Sequence, residues 1–245
     1  LAQYCLQDNA RRRAAKTAMI LARPAPDSDD APGAPAFDAE IWSFAEFEDA
    51  VLRLAAGLLD KPGLKRGDRL MLRLENGADY ALLFFAALAA GLVPLPSSSQ
   101  LTAGEARFLL DDSGAAAIAM ADGLTLDEIP AQVLVLSPDE IAGLRSSARK
   151  AGYAETTAED PAVLTAPPGP PGRPRGGLRA QRTVWRRRPM HDGWMGLRDS
   201  DVTLHSGRFN WTYTLGAGLM DPWSRGATAA LYDGPGEPDV WPRLI

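Results

Sequence analysis

One cysteine and two histidines are all that this chain of 245 residues contains of the softer metal ligands. Cys5 alone cannot close an internal disulfide, which fits a reducing compartment. With only His191 and His205 available, a multi-histidine metal centre is not expected. Long apolar runs are missing too. The longest, residues 81–93, is too short for a bilayer span and reads as a buried helix. No basic-then-apolar leader opens the sequence, so no secretory signal is expected and the cytoplasm is the expected location. A net charge of -5, with no aromatic stacking pattern accompanying the arginines, gives no reason to expect a nucleic-acid partner. A Gly-x-Ser-x-Gly nucleophile elbow is absent. Gly216-Ala217-Gly218 lacks the third glycine and preceding strand of a dinucleotide fingerprint.

What is present is enough apolar residue, 46%, to bury a substantial core. Three capping boxes mark helix starts: Ser43 with Glu46, Thr102 with Glu105, and Ser137 with Glu140. In each, a hydroxyl and a carboxylate satisfy orphan backbone donors reciprocally. After the first box, Phe44, Phe47, Val51, Leu54 and Leu58 share one helical face. Short apolar runs at 69–74, 92–95, 115–120 and 132–136 read as buried strands between the helices. The alternation predicts an α/β fold with mostly parallel sheets flanked by helices. Further on, helices are expected at 180–189 and 211–223, and strands at 201–205 and 227–232. Residues 23–39, rich in Pro, Ala and Asp, read as a surface loop. The chain opens on Leu1 and stops at Ile245, and both ends are expected to be cuts.

The stretch Leu164-Thr165-Ala166-Pro167-Pro168-Gly169-Pro170-Pro171-Gly172-Arg173-Pro174-Arg175-Gly176-Gly177 carries the main chemical signal. Glycines at this spacing suit a loop whose backbone N–H groups cradle phosphate. Alone, the same glycines would suit an ordinary Pro/Gly surface loop. Arg186-Arg187-Arg188 follow, with the dull reading of a solvated helix face.

With these elements placed, the chain resembles the N-terminal part of an AMP-forming acyl-CoA synthetase, in the medium-chain acyl-CoA and benzoate-CoA ligase branch. The resemblance is carried by Ile41-Trp42-Ser43-Phe44-Ala45-Glu46-Phe47, by Gly67-Asp68-Arg69-Leu70, and by Gly91-Leu92-Val93-Pro94-Leu95-Pro96 with Ser97-Ser98-Ser99-Gln100-Leu101-Thr102. Phe209-Asn210-Trp211-Thr212 and residues 223–228 continue it. It implies a partial AMP-binding domain over 1–245, with the C-terminal domain absent. It also implies a carboxylic acid, ATP with Mg2+, and CoA as reactants. The oligomeric state stays open.

By that resemblance, Gly169, Gly172, Arg173, Arg175 and Gly176 are the remnant of the ATP phosphate loop. His205, Phe209, Asn210 and Trp211 are candidates for the acyl pocket. No catalytic residue and no metal ligand is assigned. The family's loop reads roughly Thr-Ser-Gly-Thr-Thr-Gly-x-Pro-Lys-Gly, whereas here Pro167, Pro168, Pro170 and Pro171 stand at hydroxyl positions and Arg175 at the lysine. Proline lacks both the hydroxyl and the N–H, so a catalytically incompetent chain is expected. An alternative is a non-catalytic protein-binding module that keeps the fold and uses the Arg/Pro segment.

Overall fold

The computed structural model describes residues 1–25, 37–165 and 176–244. The amino-terminal unit is α1 (Ala2–Arg12), β1 (Thr17–Pro24), β2 (Phe37–Ser43) and α2 (Phe44–Leu59). Then come β3 (Arg69–Arg73), α3 (Ala78–Ala90), β4 (Val93–Pro96), α4 (Ala103–Ser113), β5 (Ala117–Met120), β6 (Leu134–Leu136) and α5 (Pro138–Arg145). The last part holds β7 (Pro161–Thr165), β8 (Gly177–Ala180), α6 (Thr183–Arg186), α7 (Arg188–Met190), β9 (Val202–His205), α8 (Asp221–Arg225), β10 (Thr228–Tyr232) and α9 (Val240–Leu244). Two wide π-helical turns, His191–Met195 and Thr214–Met220, precede β9 and α8 respectively.

The strands form two four-stranded sheets and one two-stranded ribbon. One sheet has the order β4-β3-β5-β6 and is parallel throughout, as its buried apolar strands predict. The other has the order β2-β1-β10-β9, with β1 antiparallel to β2 and parallel to β10. α2 and α3 pack on each other; α2 also meets β1 and β2, and α3 meets β3 and β4. The helix pair is therefore the shared layer between the sheets. This explains why α3 buries every residue but Asp79, although a surface helix would bury one stripe only. All three capping boxes form, and the expected face of α2 is fully buried at Phe44, Phe47, Val51, Leu54 and Leu58.

Several expectations change. The helix predicted at 180–189 is replaced by β8 and two short turns. Residues 177–180 are drawn into a ribbon with β7, and Pro189 has no N–H to continue a helix. The helix at 211–223 is widened into π geometry where Gly216 and Gly218 sit. A Cβ at Gly216 would lie 2.6 Å from the Arg187 guanidinium, and one at Gly218 would lie 2.8 Å from His205. Residues 23–24 and 37–39 are strand rather than loop. Cys5 is fully buried in α1, and burial pushes its thiol up to about 12.

The elements after residue 200 are held by the sheet and the core. β10 lies inside its sheet between β1 and β9. Trp223 is completely buried against Phe44, Phe47 and Phe85, and its indole N–H donates to the Ala18 carbonyl at 2.8 Å.

Candidate functional site

At the carboxyl ends of β4 and β7 the chain leaves a cavity of about 470 Å³. Ligand sites of open parallel sheets gather at such strand ends. Ser98 and Gln100 form one wall, Thr165 and Arg179 another, and Asn210 and Trp211 a third. The Ser97–Gln100 wall is held by side-chain bonds to β3 and α3 beneath. Buried Ser97 donates from its hydroxyl to the Leu72 carbonyl at 2.9 Å, and the Tyr80 hydroxyl donates to the Ser97 carbonyl at 3.4 Å. Arg73, 2% exposed, donates to the carbonyls of Leu101 and Thr125 and so ties the next turn to the end of β3.

The wall that carries Asn210 and Trp211 is anchored from below. Phe209 is fully buried and stacks on Tyr80, with centroids 5.6 Å apart and planes 27° off parallel. Its backbone N–H donates to the Asn76 side-chain oxygen at 2.9 Å, and the Asn76 amide donates to the Tyr232 carbonyl at 3.3 Å. Phe209 thus offers no surface to the cavity, and this acyl-pocket candidate is corrected to an anchor of the turn. Asn210 and Trp211 do face the cavity.

His205 stands apart from that wall. Its Nδ1 accepts the Gly207 N–H at 3.0 Å, and its ring meets Tyr213 edge-on at 5.3 Å. Burial lowers its pKa below the ordinary value of 6.5, which leaves a neutral ring at pH 7. A neutral imidazole in this setting shapes a turn; it does not attract an anion.

Gly169, Gly172, Arg173 and Arg175 lie outside the described residues. The base on which their loop stands is described. Thr165 pairs with Gly177 in the β7–β8 register, and the Thr165 hydroxyl donates to the Gly177 carbonyl at 3.0 Å. A Cβ at Gly177 would approach the Thr165 hydroxyl to 3.2 Å, and one at Gly176 would approach Leu164 to 3.3 Å. Both glycines therefore suit a tight closure. Thr165 itself lines the cavity.

A second, smaller chamber of about 210 Å³ meets the first at Thr165, Arg179 and Thr212. Phe84, Val163, Leu215 and Met220 make it largely apolar, and Arg187 supplies a charged head. Sequence reasoning missed Arg187, because it stands in a run of three arginines. Arg186 and Arg188 are exposed, and Arg188 lies over the Trp185 ring at 4.1 Å. Arg187 between them turns inward to buried Asp221. A lone apolar-facing arginine in a basic run has no periodic signature, so only the fold exposes it.

Among the described residues, no three His, Cys, Asp or Glu side chains gather as a bound cation would need. No helix there is long and apolar enough to cross a membrane.

The AMP-binding enzyme family matches residues 6–245. The 4-hydroxybenzoate–CoA/benzoate–CoA ligase of Rhodopseudomonas palustris is 28% identical over 209 residues, which is 78% of this chain and 38% of that ligase. A benzoate CoA ligase structure from Burkholderia xenovorans superposes with a TM-score of 0.81 at 23% identity, over all of this chain and 47% of that one. The N-terminal subdomain of Klebsiella oxytoca NpsA gives 0.77 at 20% identity, covering 97% of this chain and 56% of that one. The expected α/β architecture is thus that of N-terminal subdomains of adenylate-forming ligases, and the chain spans well under half the length of the curated ligase it matches. On a match that runs over nearly its whole length, this chain belongs to the AMP-binding enzyme family.

Proposed function

We propose that this chain is the acid-binding part of an ATP-dependent acid–thiol ligase. In the reaction a carboxylate attacks the α-phosphate of ATP. The new acyl–O–P bond forms as the bond to pyrophosphate breaks, and the CoA thiol then displaces AMP from the acyl group. The observation that carries the reading is the clamped loop base at Thr165 and Gly177, opening onto a cavity walled by Asn210 and Trp211. A chamber of this size takes a small acid, and Thr165 at its wall is the residue from which the phosphate-loop sequence starts, which supports the reading. The ligase activity printed for the relatives supports the same reading.

In this chain the residues bind and orient. Asn210 and Trp211 hold the acid, Arg179 brings a positive charge to the junction of the two chambers, and Thr165 fixes the loop. Fixed positive and donor groups lower a phosphoryl-transfer barrier mainly by positioning and by charge stabilisation. Magnesium enters with the phosphates of ATP. ATP affinity is weak, because the prolines at 167, 168, 170 and 171 remove donors, and turnover by residues 1–245 alone is not expected. The working environment is the cytoplasm, where a thiol such as Cys5 stays reduced.

Pyrophosphate exchange with ATP, magnesium and a panel of aromatic and medium-chain acids tests the incompetence. Robust exchange by the purified chain would overturn it. Acid binding, followed by calorimetry without ATP, tests the cavity. If no acid competes for it, the acid-binding reading fails.

A further inference from the structure

Arg187, Asp221 and His191 form an ionisable cluster that no step above uses. Asp221 and His191 are completely buried, and the Arg187 side chain is 21% exposed. The guanidinium grips the carboxylate by its fork: Nε donates to Oδ1 at 2.8 Å and Nη2 to Oδ2 at 2.6 Å. The other side of Asp221 is held by His191 Nε2, 3.1 Å from Oδ1. The guanidinium also lies against the Gly216 backbone, where a Cβ would be only 2.6 Å from Cζ. Arg187 is therefore fixed on two sides, and swinging to a second geometry would mean breaking a bidentate buried pair.

A purely structural staple would have no need to border a cavity. Yet Arg187 lines the smaller chamber, and Nη1 makes no hydrogen bond among the described residues. Its two N–H groups are the donors left over once Asp221 has taken Nε and Nη2. The chamber's lining joins apolar Phe84, Leu215 and Met220 with polar Thr183 and Tyr213 and a second guanidinium, Arg179. A donor fixed by a buried partner beside apolar lining is how small-ligand sites acquire selectivity. Because Asp221 already balances its charge, Arg187 meets the chamber as a hydrogen-bond donor, while the positive charge there comes from Arg179 at the junction. An uncharged acceptor oxygen satisfies that donor, whereas a second carboxylate would have to be desolvated against a nearly neutral pair.

We infer that Arg187 determines the specificity of the acid site. From Nη1 it donates to a hydroxyl or ether oxygen on the body of a small aromatic acid, while Asp221 and His191 act as positioning residues. This rests on the acid-binding reading above. The acid's carboxylate then lies at Thr165 and Arg179, and its substituent enters the smaller chamber.

The test is a calorimetric titration of the chain with benzoate, 3-hydroxybenzoate, 4-hydroxybenzoate and terephthalate. At least one hydroxybenzoate should bind roughly tenfold or more tightly than benzoate, as expected for a hydrogen bond to a charged donor, and terephthalate should gain nothing. The double variant Arg187→Met with Asp221→Asn leaves no buried charge alone and should bring the hydroxybenzoate-to-benzoate affinity ratio to about one. Arg187→Lys keeps the charge without the fork and should lose most of the ratio, which covers the case in which the double variant fails to fold. A ratio retained in either folded variant overturns the role of Arg187. Benzoate binding without any hydroxybenzoate preference in the wild-type chain overturns the inference alone. Failure of every acid to bind overturns the acid site and the inference with it.

Discussion

Replacing Trp223 by alanine removes a completely buried indole from the point where α8 meets α2, α3 and β1. Its ring lies 4.7 Å from Phe47 and 5.0 Å from Phe85, centroid to centroid. Truncating a core Trp costs about 3–5 kcal/mol, and the Ala18 carbonyl left without its donor adds about 1 kcal/mol. Against a typical total stability of about 5–15 kcal/mol, this removes much of the margin. Native-state hydrogen exchange reads the effect strand by strand. At about 1.4 kcal/mol per decade, the amides of β1 and β10 should exchange roughly 1,000-fold faster in Trp223→Ala. Trp223→Phe keeps most of the ring and loses the N–H, so its acceleration should be about tenfold. An acceleration below tenfold in Trp223→Ala would show that the elements after residue 200 hang loosely. The packing argument would then be wrong.

Cys5, buried and with its thiol pushed up to about 12, should resist a thiol reagent at pH 8 in the native chain and react at once in denaturant; rapid native labelling would contradict its burial. His205 has a folded pKa depressed by burial, so the unfolded state binds more protons. Stability from this residue is present above about pH 6.5 and is lost as pH falls below it, a slope that His205→Gln should flatten in urea titrations between pH 7 and 5. An unchanged slope would mean that the ring is effectively solvated. Restoring the loop, with Pro167→Thr, Pro168→Ser, Pro170→Thr, Pro171→Thr and Arg175→Lys together, should raise ATP affinity measured by calorimetry. Equal affinity before and after would show that the prolines are tolerated. Ser43→Ala should cost about 0.5–2 kcal/mol by removing the capping box of α2, read as a drop in melting temperature.

Local chemistry is what made the helix starts legible. Ser43, Thr102 and Ser137 each satisfy donors within three residues, so the box forms wherever the chain goes next. The apolar face of α2 and the buried strands β3 to β6 follow from periodicity in the same way. The order of motifs along the chain likewise pointed to the AMP-binding family and to the loop at 166–175. Contacts between distant segments were not legible. Nothing near Thr17 announces that β1 will pair with β10, more than 200 residues on, and nothing near Gly177 announces a strand before β7 offers it partners. The site divides along the same line. Asn210 and Trp211 were candidates only through the family resemblance, and it is the fold that faces them to a cavity while Tyr80 and Asn76 draw Phe209 into the core. Arg187 looked like its exposed neighbours until Asp221, 34 residues away, took its guanidinium. Short-range hydrogen bonds and side-chain period belong to the sequence, whereas which side of a basic run turns inward depends on a buried partner that only the folded chain supplies.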